Sequence, residues 1–366
     1  MMTKRVMCGD SVSLLGFGCM RFPEKEGKID RERASEMLRH AYDHGVNYFD
    51  TAYPYHNGES EEFVGEFLSG YPRDSFYLAT KLPMWKVDSR EKALEIFEEQ
   101  LRKLKTEYVD FYLFHALDRG RFELIKKLGL YELIDGLKKE GKIRHLGFSF
   151  HDSFDVFEEI INYRDWDFCQ VQFNYMDTDY QAGLRGVRLC EERGIPVIAM
   201  EPIRGGSLIN LKKDIQAVFR AHDDRSNAAW ALGWVASHNA IKTVLSGMST
   251  MEHVEDNLHT FNDFRQLDAG ELETVAGVAQ MIRDSRFNTC TRCRYCMPCP
   301  AGVDIPRNFA IMNEYAMYTD EASAKRRFSE LDGKASRCIE CGKCETVCPQ
   351  HILIREDLKK AVKLFE

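Results

Sequence analysis

The run Asn47-Tyr48-Phe49-Asp50-Thr51-Ala52-Tyr53-Pro54-Tyr55 reads as a short apolar strand that delivers a carboxylate and, after a Pro turn, a phenol. Two later apolar runs also end in reactive groups: 76–81 closes on Lys81 and 109–115 on His115. Singly, none of the four stands out, because such an Asp commonly caps a turn, a Tyr packs, a Lys is solvated and a His is bonded in the core. Their joint placement after three consecutive strands changes that. At strand C-terminal ends of a parallel barrel they would share the rim on which active sites are built. A second constellation lies in the last quarter of the chain, which reads Cys290-x2-Cys293-x2-Cys296-x2-Cys299-Pro300 and Cys338-x2-Cys341-x2-Cys344-x3-Cys348-Pro349. Evenly stepped thiols favour metal ligation over disulfides in a cytoplasm, and zinc prefers paired Cys-x-x-Cys without a third evenly spaced thiol. The other four cysteines, Cys8, Cys19, Cys169 and Cys190, lack such spacing and read as core or loop residues.

The elements that must position these groups are repeated βα pairs. Strand-like runs at about 14–19, 47–51, 76–81, 109–115, 145–150, 168–174, 196–202 and 241–247 alternate with helix-period segments. Asp30 is expected to cap a helix that turns Ala34, Met37, Leu38, Ala41 and Tyr42 inward before Gly45 ends it. Segment 89–106 places Ala93, Phe97, Leu101 and Leu104 on one stripe, and Ser249-Thr250-Met251-Glu252 has the form of a capping box opening the last barrel helix. Eight repeats over about 250 residues predict an α/β fold, a closed (β/α)8 TIM barrel. Leu15-Gly16-Phe17-Gly18 does not complete the glycine turn of a doubly wound sheet. The expected division is a barrel at 1–267, a bridging helix at 268–289 with Leu272, Val275, Ala276, Ala279 and Ile282 on one face, and a small α-rich cysteine domain at 290–366.

Composition narrows the function. With 366 residues, 44% hydrophobic, the chain can bury a large core. No apolar run reaches bilayer-spanning length and Met1–Leu15 lacks signal-peptide character, so a cytoplasmic protein without a membrane partner is expected. A formal charge of −8 argues against nucleic acid. Residues 290–355 hold ten Lys/Arg against eight Asp/Glu, so the tail is slightly basic beside an acidic body.

In order and spacing, Asp50, Tyr55, Lys81 and His115 resemble the tetrad of the aldo-keto reductase family, over residues 14–264. The resemblance implies hydride transfer between NADP or NAD and a small carbonyl or alcohol. Tyr55 would donate a proton to the developing oxyanion, with Lys81 lowering the phenol pKa, Asp50 holding Lys81, and His115 polarising the carbonyl. It further implies cofactor contacts from Gly18, Met20, Asp50, Ser149, Gln170, Met200, Gly205, Gly247, Ser249 and Asn257, with phosphates at the helix N-terminus near Thr250. Phe150 stands where Asn is usual, Met200 where an aromatic stacks on nicotinamide, and Gly247 and His253 where Lys and Arg grip a 2′-phosphate.

The second cysteine run is similar to the bacterial ferredoxin motif residue for residue, which implies a ferredoxin-like domain with two [4Fe–4S] clusters. Carrying over its crossed ligation assigns Cys290, Cys293, Cys296 and Cys348 to one cluster, and Cys338, Cys341, Cys344 and Cys299 to the other. The whole is then an oxidoreductase. Its clusters are structural or feed electrons to a flavin or to substrate; alternatively, the barrel senses nucleotide and the protein passes electrons to a redox partner.

Overall fold

A computed structural model describes residues 1–366. It divides into two compact units, Met1–Arg204 with Ala228–Asp268, and Gly205–Asn227 with Ala269–Glu366.

The first unit is a closed barrel of eight parallel strands: β1 (Leu15–Gly18), β2 (Tyr48–Asp50), β3 (Tyr77–Leu82), β4 (Val109–Leu117), β5 (Ile143–Phe150), β6 (Phe168–Gln172), β7 (Val197–Met200) and β8 (Ile241–Ser246). All eight expected strands are present, and β8 pairs with β1 to close the ring. Helices α1 (Arg31–Asp43), α2 (Ser60–Leu68) and α3 (Arg90–Leu104) follow the first three strands. Asp30 caps α1, accepting from Arg33 N, and Ala34, Met37, Leu38 and Ala41 are buried as its period requires. The barrel floor holds an element absent from the sequence reading, a hairpin of Lys4–Met7 and Asp10–Ser13. It sends Met7 and Val12 into an interior cluster with Tyr48, Ala79, Phe111, Leu113 and Phe168.

That cluster sets the pleat of the strands. Side chains alternate across a strand, so if Tyr48, Ala79 and Leu113 face the interior, then Asp50, Lys81 and His115, two residues further on, face it too at the C-terminal rim. Thr80 and Tyr112 take the opposite face, toward α2 and α3.

In the second unit, Val303, Ile305, Phe309, Phe328 and Leu358 form the heart of an apolar core. The 38 residues between Cys299 and Cys338 build most of it through helices Ile305–Met317 and Glu321–Ser329, which meet the C-terminal helix Ile354–Phe365. The expected helix at 268–289 is Ala269–Asp284, but it buries Glu271, Val275, Val278, Ala279 and Ile282 and leaves Leu272 exposed. The buried stripe is shifted, and Glu271 is drawn inward by its ion pair with Arg225. No helix is long and apolar enough to cross a membrane.

Candidate active site and cysteine module

Four side chains converge on the barrel rim. The ammonium of Lys81 donates to Asp50 Oδ1 at 2.7 Å and to the Thr51 carbonyl at 2.8 Å, with both charged side chains buried. Tyr55 lies beside it, with Lys81 Nζ 5.1 Å from the ring centroid. The imidazole of His115 meets the Tyr55 ring edge-on at 6.2 Å, and the Trp85 ring packs against it at 5.0 Å.

Two local irregularities aim these groups. Tyr55 starts a 3-10 turn whose next three residues, His56, Asn57 and Gly58, all have positive φ, which folds the chain back tightly before α2. His56 clamps the turn: Nε2 accepts from Phe22 N at 3.1 Å, so Nδ1 carries the proton toward Glu24 at 3.0 Å. On β4 the register shifts between Phe114 and Leu117, and Ala116 adopts φ +55°. Such a bulge re-aims a side chain next to a site. Ser149 secures it, its hydroxyl accepting from Ala116 N at 2.7 Å.

Burial dominates the electrostatics. It is the largest influence on Lys81 and pulls its pKa down, but Asp50 and Tyr55 more than offset it and the net direction is up. Burial raises the Asp50 carboxyl, with Lys81 opposing. The contact is an ion pair because each charge is the other's main compensation in a site closed to water. Tyr55 departs from expectation. Burial lifts its pKa above the ordinary value of 10, and the nearby ammonium only partly reverses the shift. His115 moves far down, first through burial and then through the charge of Lys81, so its ring is neutral. Its Nδ1 has no hydrogen-bond partner.

Most of the other residues expected to contact the cofactor lie in the barrel unit, at or near strand ends. Gly18 pairs in register with Asp50, and a side chain there would meet the Ser246 carbonyl at 3.2 Å. Ser149 and Gln170 are register neighbours on β5 and β6. Gln170 points its amide nitrogen at Met200 Sδ, 3.5 Å away, and its buried Oε1 has no partner, which leaves an acceptor suited to a carboxamide N–H. Phe150 is wholly buried. Met20 is half-exposed. Asn257 donates to Ser246 Oγ at 2.8 Å.

Thr250, not Ser249, caps helix Met251–Phe261, accepting from His253 N, so the capping-box reading is off by one residue. Ser249 is drawn away, its hydroxyl donating to the Arg21 carbonyl at 2.8 Å. A side chain at Gly247 would come within 2.6 Å of Arg21 Cγ, so the stem of Arg21 covers the position where Lys is usual. Gly205 has φ +63° and belongs to the second compact unit.

Sequence reasoning missed two buried polar residues behind the rim, Glu61 and Gln100. Both interrupt the apolar stripes of their helices, which is the one signal that marked them.

The cysteine runs surround two cavities in the second unit. Cys299, Cys338, Cys341 and Cys344 line one of about 190 Å³, and Cys290, Cys293 and Cys348 line a smaller one; Cys296 borders both. Arg292, Arg294, Glu340 and Gly342 all have positive φ, so the chain curls between successive cysteines and turns backbone N–H groups toward the thiols. Glu340 N donates to Cys338 Sγ. No three His, Cys, Asp or Glu side chains converge closely enough for a single metal ion. An all-thiol donor set spread around a cavity fits a cubane instead, whose four irons hold their ligands apart.

Comparison with known proteins agrees with this architecture. Residues 14–280 match the Aldo/keto reductase family, and residues 289–353 match the 4Fe-4S dicluster domain. Methylglyoxal reductase YeaE of Escherichia coli (strain K12) is 30% identical over 268 residues, covering 70% of this chain and 89% of that protein. The NADH-specific methylglyoxal reductase of the same organism is 24% identical, covering 69% and 90%. Among solved structures, the holo form of aldo-keto reductase AKR11C1 from Bacillus halodurans superposes with a TM-score of 0.65 at 26% identity, covering 76% of this chain and 96% of that one. An aldo/keto reductase from Klebsiella pneumoniae in complex with NADP and acetate gives 0.63 at 25% identity, covering 74% and 93%. This chain therefore belongs to the aldo/keto reductase family of oxidoreductases, with a 4Fe-4S dicluster domain following the barrel.

Proposed function

We propose that the barrel reduces a small carbonyl compound with NADH or NADPH, using Asp50, Tyr55, Lys81 and His115. The observation that carries this reading is the buried Lys81–Asp50 pair at 2.7 Å beneath the Tyr55 ring, with a neutral His115 at the edge of that ring. Bound nicotinamide supplies the hydride. Tyr55 gives its proton to the carbonyl oxygen as negative charge develops there. A phenol held above its ordinary pKa keeps that proton through neutral pH, and Lys81 steadies the phenolate left behind. His115, kept neutral, donates an N–H to the same oxygen and brings no second cation beside Lys81. Gln170 Oε1 and Ser149 would hold the carboxamide, and the loop at Gly247–Thr250 the phosphates. Two relatives are named methylglyoxal reductases, which makes methylglyoxal the first carbonyl to assay.

The lining of the two cavities supports crossed ligation: Cys348 joins the first run, and Cys299 joins the second. Tyr295, Ile339 and Val347 stand exposed around the cavity of the second run, an apolar rim suited to brief contact with an electron-carrying protein. The decisive test of the barrel reading is Tyr55→Phe. It should retain cofactor binding and lose about 10² or more in kcat for methylglyoxal, because only the proton donor is removed. Wild-type turnover would overturn the tetrad.

A further inference from the structure

Behind the rim, on the outward face of the strands, lies a closed polar network that the reaction as described does not use. Glu61, in the first turn of α2, is wholly buried. Its Oε1 accepts from Thr80 Oγ1 and from Gln100 Nε2, both at 2.6 Å. Gln100, from the middle of α3, also donates to the carbonyl of Lys81 at 3.0 Å, and its own Oε1 accepts the Tyr112 hydroxyl at 2.7 Å. The Glu61 carboxyl and the Gln100 amide bonded to it thus join α2, β3, α3 and β4. Next to it, Ser60 Oγ donates to the Cys19 carbonyl at 2.8 Å and meets Thr51 Oγ1 at 2.9 Å.

Packing alone does not account for an acid here. Burial pushes the Glu61 carboxyl above its usual range, the hydrogen bonds from Thr80 and Gln100 pull it back, and Oε2 has no partner. An apolar side chain of similar size would fill the space without that desolvation cost. It could not connect the two parts that carry the chemistry. The Tyr55 turn ends at Gly58, and Ser60 and Glu61 follow at once, so α2 is the anchor of that turn. Thr80 and the carbonyl of Lys81 belong to the strand that presents the ammonium.

Resting on the reductase reading above, we infer that Glu61, acting through Gln100, is a positioning residue that locks the turn bearing Tyr55 onto the strand bearing Lys81. Proton donation depends on that spacing, and a misplacement near 1 Å can cost about 10² in rate.

The test compares Glu61→Leu, Glu61→Gln, Gln100→Leu and the Glu61→Leu/Gln100→Leu double variant in the full-length protein, with methylglyoxal and NADH or NADPH. Glu61→Leu should lower kcat by about 10-fold to 10²-fold while KM for methylglyoxal and the cofactor Kd stay put. Glu61→Gln, whose amide oxygen can accept the same two hydrogen bonds, should recover most of the rate. Gln100→Leu should match Glu61→Leu, and the double variant should be no worse than either, since both cut one connection. Unchanged kcat per folded molecule in Glu61→Leu, equal loss in Glu61→Gln, or a fully additive double variant would each overturn the inference. If Glu61→Leu does not fold, Thr80→Val and Gln100→Leu replace it, and wild-type kcat in both overturns it equally. Tyr55→Phe measured alongside separates the two levels. Its full turnover would overturn the reductase reading and the role of Glu61 with it, whereas its loss beside an unimpaired Glu61→Leu overturns Glu61 alone.

Discussion

Replacing Lys81 by Met tests the buried ion pair in stability and in chemistry at once. Both charges are out of water, with 0% and 3% of the Lys81 and Asp50 side chains exposed, and the ammonium donates to Asp50 Oδ1 and the Thr51 carbonyl. Removing one partner of such a pair costs about 3–5 kcal/mol, because the other charge remains buried and unpaired. Asp50 can relieve part of that cost by taking up a proton, since burial already drives its pKa upward. The sign follows: a carboxyl whose folded pKa lies above its unfolded value contributes stability at acid pH and loses it as pH rises through the folded value. Lys81→Met should therefore be closest to wild type near pH 4 and fall progressively behind toward neutrality. The Lys81→Met/Asp50→Leu double variant removes the stranded carboxylate and should recover much of the loss at pH 7. Urea unfolding midpoints across pH measure this. Activity should not recover with stability. In the proposed mechanism both variants lack the cation that would steady the Tyr55 phenolate, so kcat should fall by about 10² or more in each. Equal stability of single and double variants at pH 7 would refute the claim that the pair carries buried charge, and near-wild-type kcat in Lys81→Met would refute its role.

Two further predictions concern the bound groups. Gly247 and His253 supply less charge to a 2′-phosphate than Lys and Arg would, and the Arg21 stem covers Gly247, so NADH and NADPH should bind within about 10² of each other. Fluorescence titration gives both constants, and a preference for NADPH beyond about 2.7 kcal/mol would refute this. Anaerobically purified protein should carry about eight iron and eight sulfide per chain, and zinc without sulfide would overturn the cluster assignment. Cys348→Ser should damage the cluster of the first run and Cys299→Ser that of the second, whereas damage confined to the mutated run would show uncrossed ligation.

What the sequence discloses here depends on periodicity. Asp50, Lys81 and His115 each end an apolar run, and the period-2 pleat that points Tyr48, Ala79 and Leu113 inward carries their neighbours two residues on to the same interior. The fold, and the convergence of those three side chains with Tyr55 on one rim, were legible for that reason. The cysteine runs were legible because ligand spacing is itself local. The features that escaped are those decided by tertiary closure. The hairpin at Lys4–Ser13 is too short to announce itself, yet it plugs the barrel floor. Which of Ser249 and Thr250 caps the last barrel helix was settled by the hydrogen bond of Ser249 to Arg21, 228 residues away in sequence. The net direction of the Tyr55 pKa escaped for a related reason: the lowering by Lys81 follows from sequence and is present, but the burial that exceeds it depends on how the turn beginning at Tyr55 folds onto the rim. Glu61 and Gln100 are the sharpest case, since each occupies an apolar stripe where a polar residue reads as an error until its partners on other elements are in place. In the proposed mechanism the inner faces of β2, β3 and β4 carry the groups that would do the chemistry, and the outward faces of β3 and β4 carry the hydrogen bonds that would fix where those groups stand. A polar residue that breaks a helix stripe opposite a strand bearing a proposed catalytic group is, on this argument, part of the site and not a defect in the core.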